Sequence, residues 1–87
     1  MRFMEEFLNF VLRQLIDFPE EMVLTRQDAP KRTVFHLQLR QSDIGKVIGK
    51  HGQTINAIRN LLAAAAARQG ERAQLEILEE AGAYDRA

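Results

Sequence analysis

The 87-residue sequence contains no cysteine and only two histidines. Without cysteine the chain forms no disulfide and offers no thiolate ligand, so its stability has to come from packing. The histidines, His36 and His51, are too far apart in the chain to suggest a zinc site. We therefore expect no metal and no cofactor.

Long apolar runs are also missing, since none approaches the roughly 20 residues that span a bilayer. The first residues, 1–6, are acidic on balance where a secretory signal peptide would be basic. The sequence therefore predicts a cytoplasmic protein with no membrane span.

An excess of one charge is lacking too, because 12 basic residues balance 12 acidic ones. The total charge thus indicates neither a nucleic acid nor a membrane partner. The distribution is uneven, however. Residues 26–59 hold seven basic and two acidic side chains, whereas residues 1–25 and 60–87 each carry more acidic than basic ones. Segregated charge is common in small domains, so it becomes informative only beside a motif.

Apolar side chains in the first 16 residues recur in pairs every four positions, which predicts one stripe of a helix. Pro19 disfavours helical geometry at the preceding residue, so we expect the helix to end near Asp17. Phe10 and Phe18 fit the stripe less well and are expected to be exposed. The side chains of the stripe, expected in the core, are Phe3, Met4, Phe7, Leu8, Val11, Leu12, Leu15 and Ile16.

Three segments have the pattern of strands. Residues 22–26 form the first, and residues 33–40 alternate apolar and polar side chains, which predicts a strand with one buried face. Residues 27–31 between them favour an antiparallel hairpin with a loop longer than two residues. Residues 73–77 alternate less regularly and are assigned to a third strand.

The remaining segments are helical. Ser42 is expected to cap a short helix, and a longer helix is predicted from Gln53 to about Arg68, with Gly70 as its C-cap. The order α-β-β-α-α-β indicates an α+β fold, a three-stranded sheet with helices packed on one face. We expect residues 1–79 to form one domain and residues 80–87 a flexible tail.

The most informative segment is IGKVIGKHGQTI at residues 44–55. Gly49 and Gly52 lack a Cβ, so the main chain can turn tightly there and come close to another backbone. The helix that follows presents unpaired N–H groups and the positive end of its dipole, which favour phosphate. Lys50 and His51, between the glycines, are expected to project outward.

These glycines have other interpretations. In the simplest, they only form the bend of a helix-turn-helix corner. A Walker loop is excluded, because it needs four residues between its glycines and Ser or Thr after its lysine, whereas Gly45 and Gly49 enclose three and His51 follows Lys50.

The segment VIGKHGQTI at residues 47–55 resembles the VIGxxGxxI signature of KH domains, whose GxxG loop clamps a short single strand by its backbone. The order of elements resembles the type II KH arrangement. The length, the N-terminal helix and the alanine run at residues 63–67 are similar to those of the small bacterial KhpA-like RNA-binding proteins. The resemblance spans about residues 4–79. Gln53 departs from it, because relatives often have arginine there.

The resemblance implies a non-enzymatic protein that binds single-stranded RNA as a post-transcriptional regulator or RNA chaperone. It also implies a homodimer, or a heterodimer with a larger Jag-type KH-containing protein. The alanine run at residues 63–67 either packs its helix on the sheet or forms a flat dimer surface. The resemblance implies that Gly49, Lys50, His51 and Gly52 form the clamp and that the groove beside it is lined by Gly45, Lys46, Ile48 and Ile55. Thr54 and Arg59 are added as candidate RNA-binding residues.

Two points stay open from the residues alone. Arg59 either reaches a phosphate or is a solvent-facing charge of its helix. The chain as a whole is either an RNA-binding protein or a dimerising adaptor with a KH fold and little RNA binding of its own. Neutral net charge and Gln53 favour the adaptor, whereas the intact glycines and the basic segment oppose it.

Overall fold

The computed structural model of the chain describes residues 2–78, so the expected tail and the domain boundary at residue 79 lie outside the described residues. The predicted α-β-β-α-α-β order is confirmed, with short 3-10 turns at Pro19–Glu21 and Lys50–Gly52. Between residues 2 and 78, no helix combines the length and the apolar character needed to cross a membrane. The elements are α1 (Arg2–Arg13), β1 (Val23–Ala29), β2 (Arg32–Gln38), α2 (Gln41–Ile48), α3 (Gln53–Arg68) and β3 (Arg72–Leu78).

The three strands form one mixed sheet in the order β1-β2-β3. Strand β1 runs antiparallel to β2, as predicted, and β3 runs parallel to β2. The expectation of a hairpin loop longer than two residues is wrong, because Ala29 pairs with Arg32 and only Pro30 and Lys31 remain between them. The turn is short because proline fixes its own φ and Lys31 adopts a left-handed φ of 63°.

One face of the sheet packs against the helices and forms the core. Phe35 and Leu37 of β2 are fully buried there, as predicted, and Leu75 of β3 joins them. The other face is more polar, and it holds His36 beside Glu76, with 3.5 Å between Nε2 and Oε1. The buried apolar residues are Met4, Leu8, Leu12, Ile16, Met22, Phe35, Leu37, Leu39, Val47, Ile55, Ile58, Leu62, Ala66 and Leu75.

Helix α1 buries a narrower stripe than predicted. Met4, Leu8 and Leu12 are fully buried, whereas Phe3 is 56% exposed, so its placement in the core is wrong. The reason is that only one edge of the predicted stripe faces the sheet and α3, and Phe3 lies at the other edge. Phe10 is 68% exposed, as predicted, and Phe18 is half-buried.

Two predicted helix boundaries are wrong. Helix α1 ends at Arg13, not near Asp17, and α2 begins at Gln41 without Ser42 as its N-cap. Asp43 is fully buried, and its two carboxylate oxygens accept the backbone N–H groups of Asp17 at 3.1 Å and Phe18 at 3.0 Å. These bonds hold the segment after α1 in a non-helical path and tie it to α2.

Helix α3 ends as the sequence predicts. Gly70 has a left-handed φ of 74°, and its N–H donates to the Ala67 carbonyl at 3.0 Å. The N–H of Glu71 donates to the Ala66 carbonyl at 3.0 Å. The pair of bonds satisfies the last carbonyls of the helix and turns the chain into β3.

Candidate nucleic-acid interface

The site is the loop Gly49–Gly52, which joins α2 to α3, and it begins at a position that only glycine can occupy. Gly49 has φ 76° and ψ 174°, a region essentially restricted to glycine. Its N–H donates to the Gly45 carbonyl at 2.8 Å and closes the last turn of α2. A Cβ at this position would overlap the Thr54 hydroxyl and lie 2.7 Å from the Thr54 Cβ. Thr54, a predicted site residue, therefore packs behind the loop.

Two further residues of the loop, His51 and Gly52, have left-handed conformations. His51 has φ 56° and ψ 25°, and Gly52 has φ 74° and ψ 11°. Histidine is among the residues that tolerate this region best. The N–H of Gly52 donates to the Gly49 carbonyl at 3.1 Å, which closes the loop on itself. The loop is thus a tight turn held by its own backbone.

Lys50 and His51 carry the exposed groups of the loop. Among residues 2–78, neither backbone N–H has a main-chain acceptor. Within the same residues, no carboxylate oxygen lies within 4.0 Å of either side chain. The loop therefore offers hydrogen-bond donors and a lysine cation next to the N-terminus of α3, an arrangement suited to an anion.

Helix α2 supplies the residues beside the loop. Gly45 is exposed, and a Cβ on it would have nothing within 4 Å, so this surface is open. Ile48 is half-buried. Lys46 is less available than Lys50, because its Nζ lies 3.4 Å from Asp17 Oδ2 and 4.0 Å from Asp43 Oδ1.

Two predicted residues have roles in holding α3. Ile55 is only 5% exposed and lies in the core, so it supports the loop from beneath. Arg59 is exposed, and its Nε and Nη2 donate to the Leu75 carbonyl at 3.1 and 3.0 Å. Arg59 therefore joins α3 to β3.

A groove of about 430 Å³ runs between α3 and β3, with Arg59 in its wall. Sequence reasoning missed it, since it depends on β3 lying beside α3 at the edge of the sheet. The alternation of residues 73–77 indicated which side chains share a face but not which helix they contact. The lining residues are Arg59, Asn60, Leu62, Ala63, Ala73, Gln74, Leu75 and Glu76.

The described part of the chain contains no group of three or more His, Cys, Asp or Glu residues placed to hold a metal ion. The loop chemistry consists of backbone donors, one ammonium group and one imidazole. This arrangement is suited to binding an extended polyanion.

Comparison with known proteins agrees with the fold. A family profile described as "KhpA/KhpB, KH domain" matches residues 5–77. The RNA-binding protein KhpA of Chlamydia pneumoniae is 43% identical over 77 residues, 88% of this chain and 99% of its own. The RNA-binding proteins KhpA of Borreliella burgdorferi and Listeria monocytogenes are 42% and 34% identical, over 85% and 87% of this chain and 90% and 100% of their own. No solved structure gives a significant match. The chain belongs to the KhpA/KhpB family of KH domains.

Proposed function

We propose that the chain binds single-stranded RNA through the loop Gly49–Gly52, without catalysis. The observation that carries the proposal is the pair Lys50 and His51, whose side chains are exposed and whose N–H groups have no main-chain acceptor among residues 2–78. The names of the relatives, RNA-binding protein KhpA, support it.

The mechanism is backbone capture. Phosphate oxygens accept hydrogen bonds from the loop N–H groups, and the Lys50 ammonium and the dipole of α3 add electrostatic attraction. Because Gly45 has no side chain, a nucleotide can approach α2 closely, with Ile48 as an apolar contact. About four nucleotides occupy such a surface in KH domains.

In the cell, this activity serves a post-transcriptional regulator or RNA chaperone in the cytoplasm. One loop makes few contacts, so affinity is modest, and a second RNA-binding module raises the effective affinity. The second module is another copy of the chain or a larger KH-containing partner.

The test is a fluorescence-anisotropy titration of a labelled single-stranded RNA pool at fixed salt. The variant Lys50→Asp/His51→Asp should keep the fold and lose binding at least tenfold, because it replaces the cation and repels phosphate. Arg13→Asp/Gln14→Asp makes the same charge change at the exposed end of α1 and should bind nearly as the parent does. Equal affinity of the parent and the loop variant would rule out the loop.

A dimerising adaptor with little RNA binding is the second candidate, and exposed apolar side chains favour it. Phe3 and Phe10 on α1 and Leu61 on α3 are each more than half exposed. Three alanines of the run at residues 63–67 are exposed as well. The adaptor predicts a concentration-dependent dimer in sedimentation and no salt-sensitive complex with the RNA pool. A salt-sensitive complex in which the loop variant is defective would exclude it.

A further inference from the structure

A second group of cations lies at the hairpin end of the sheet, away from the loop. Arg32 and Arg72 begin parallel strands and are direct register partners. Thr33 and Leu75 are buried on the helix side, so alternation places both arginines on the opposite face of the sheet. Lys31, in the hairpin turn, precedes Arg32.

Direct neighbours of like charge destabilise a sheet, yet this pair has no neutralising partner. Among the described residues, no carboxylate oxygen lies within 4.0 Å of Lys31, Arg32 or Arg72. Other cations of the sheet region are matched. Arg26 Nε lies 2.9 Å from Asp28 Oδ1, and Arg40 Nη1 lies 2.7 Å from Glu21 Oε2.

The backbone holds the three cations together. The N–H of Arg72 donates to the Lys31 carbonyl at 3.4 Å, and Lys31 has a left-handed φ of 63°. A cavity of about 760 Å³ opens between the hairpin turn, residues 29–32, and residues 70–72. Glu71 is the one carboxylate in its lining, so the cavity walls keep a net positive charge of two.

The cavity and the groove described above are neighbours along β3. Arg72 lines the cavity, and the next residue, Ala73, lines the groove between α3 and β3. Helix α3 has 16 residues, so it spans about 24 Å from the loop to the hairpin end. At about 3.4 Å per stacked nucleotide, about seven nucleotides cover that distance.

We infer that Lys31, Arg32 and Arg72 form a second phosphate-binding site, which holds the backbone of the same RNA strand after it leaves the groove. The inference rests on the proposed function of the loop, because the loop fixes the other end of the strand. An RNA phosphate fits better than a carboxylate of an acidic peptide, since Arg72 of the cavity is next to Ala73 of the groove along α3.

The test compares RNAs of four and twelve nucleotides on the variant Arg32→Gln/Arg72→Gln. The short RNA should bind as it does to the parent, because it reaches only the loop. The long RNA should lose about tenfold in affinity, and its logarithmic salt dependence should fall by about 1.4, or 0.7 for each lost phosphate contact. Arg13→Glu, with the same change in net charge, should alter neither RNA.

The outcomes separate this inference from the loop proposal. If Lys50→Asp/His51→Asp loses both RNAs while Arg32→Gln/Arg72→Gln binds the long RNA as the parent does, the second site is wrong and the loop stands. If neither variant loses affinity for RNA, both the second site and the loop proposal are wrong. Equal losses of the short and long RNAs in the arginine variant would also overturn the second site. Polyglutamate serves as the acidic-peptide probe, and an arginine variant that no longer binds it but still binds the long RNA would overturn the second site as well.

Discussion

The two ends of α3 each carry a glycine with φ near 75° and exposed cations nearby, but the glycines differ in what surrounds them. A Cβ on Gly49 would collide with Thr54, whereas a Cβ on Gly70 would have nothing within 4 Å. At the first end, backbone conformation and packing both require glycine. At the second, only conformation does. We therefore expect the conformation of the loop to depend more on Gly49 than the end of α3 depends on Gly70.

The ends also differ in how they are anchored. The N-terminal end follows α2, which Asp43 ties to the segment after α1 through two hydrogen bonds. At the C-terminal end, β3 pairs with β2, and the N–H of Arg72 donates to the Lys31 carbonyl of the hairpin turn at 3.4 Å. We therefore expect substitutions near α2 to affect stability more than substitutions at the hairpin.

The largest effect is expected for Asp43→Ala. It leaves two N–H groups without their acceptor, and hydrogen bonds to a charged group contribute about 1.5–3 kcal/mol each, so the free energy of unfolding should fall by about 3 kcal/mol or more. Urea denaturation measures it. The matched control, Ser42→Ala, should change stability by less than about 0.5 kcal/mol, because Ser42 is exposed and caps nothing. A larger loss of unfolding free energy for Ser42→Ala than for Asp43→Ala would show that Ser42 caps α2 after all.

Gly49→Ala should come next. Backbone strain of about 1–3 kcal/mol adds to the collision with Thr54, and the distorted loop should lose RNA binding. Gly70→Ala is the control, with an expected cost of about 1–2 kcal/mol for a left-handed alanine and unchanged binding of a four-nucleotide RNA. Denaturation and anisotropy on both variants check this. Equal losses of unfolding free energy and equal RNA affinities in the two variants would contradict the difference between the two glycines.

Gly45→Ala should stabilise the protein and weaken RNA binding. Alanine is better than glycine in a helix by up to about 1 kcal/mol, and a Cβ meets no protein atom within 4 Å. The same methyl group occupies the surface where we propose that a nucleotide approaches. The expected result is a higher melting temperature with several-fold weaker binding. Unchanged affinity would show that RNA does not approach α2 there.

The smallest effect concerns pH at the hairpin end. The hydrogen bond from Arg26 lowers the pKa of Asp28 below its usual 3.8, and the same bond raises the pKa of Arg26. A carboxyl with a lowered pKa stabilises the fold above its unfolded pKa, and the contribution is lost as pH falls through the folded pKa. Urea midpoints of the parent and Asp28→Asn should therefore differ slightly at pH 7 and converge below pH 3.8. A constant difference would contradict this assignment.

Much of the fold was predictable, because local patterns determine most of its elements. Alternation identified the buried face of β2, and the glycines identified the ends of α2 and α3. By its local pattern, Asp43 is only a residue that favours the first turn of a helix. Nothing local indicates that it accepts N–H groups from Asp17 and Phe18, since that depends on how α1 packs.

The tight turn at Gly49–Gly52 and the exposure of Lys50 and His51 were predictable, whereas the groove beside α3 was not. The glycine spacing identified Lys50 and His51. The groove and the pairing of Arg32 with Arg72 depend on β3 running parallel to β2. Charge counting by segment even separated these two arginines, because Arg72 lies in the acidic last third of the chain. Long-range strand pairing is the physical information that a local pattern lacks.

The most direct test of the central claim is to follow backbone amide NMR shifts while a four-nucleotide RNA is added to the parent protein. If the loop captures phosphate through its main chain, the amides of Lys50 and His51 should shift most, and those near Gly70 should stay in place. Unmoved loop amides with shifts elsewhere in the chain would contradict the account.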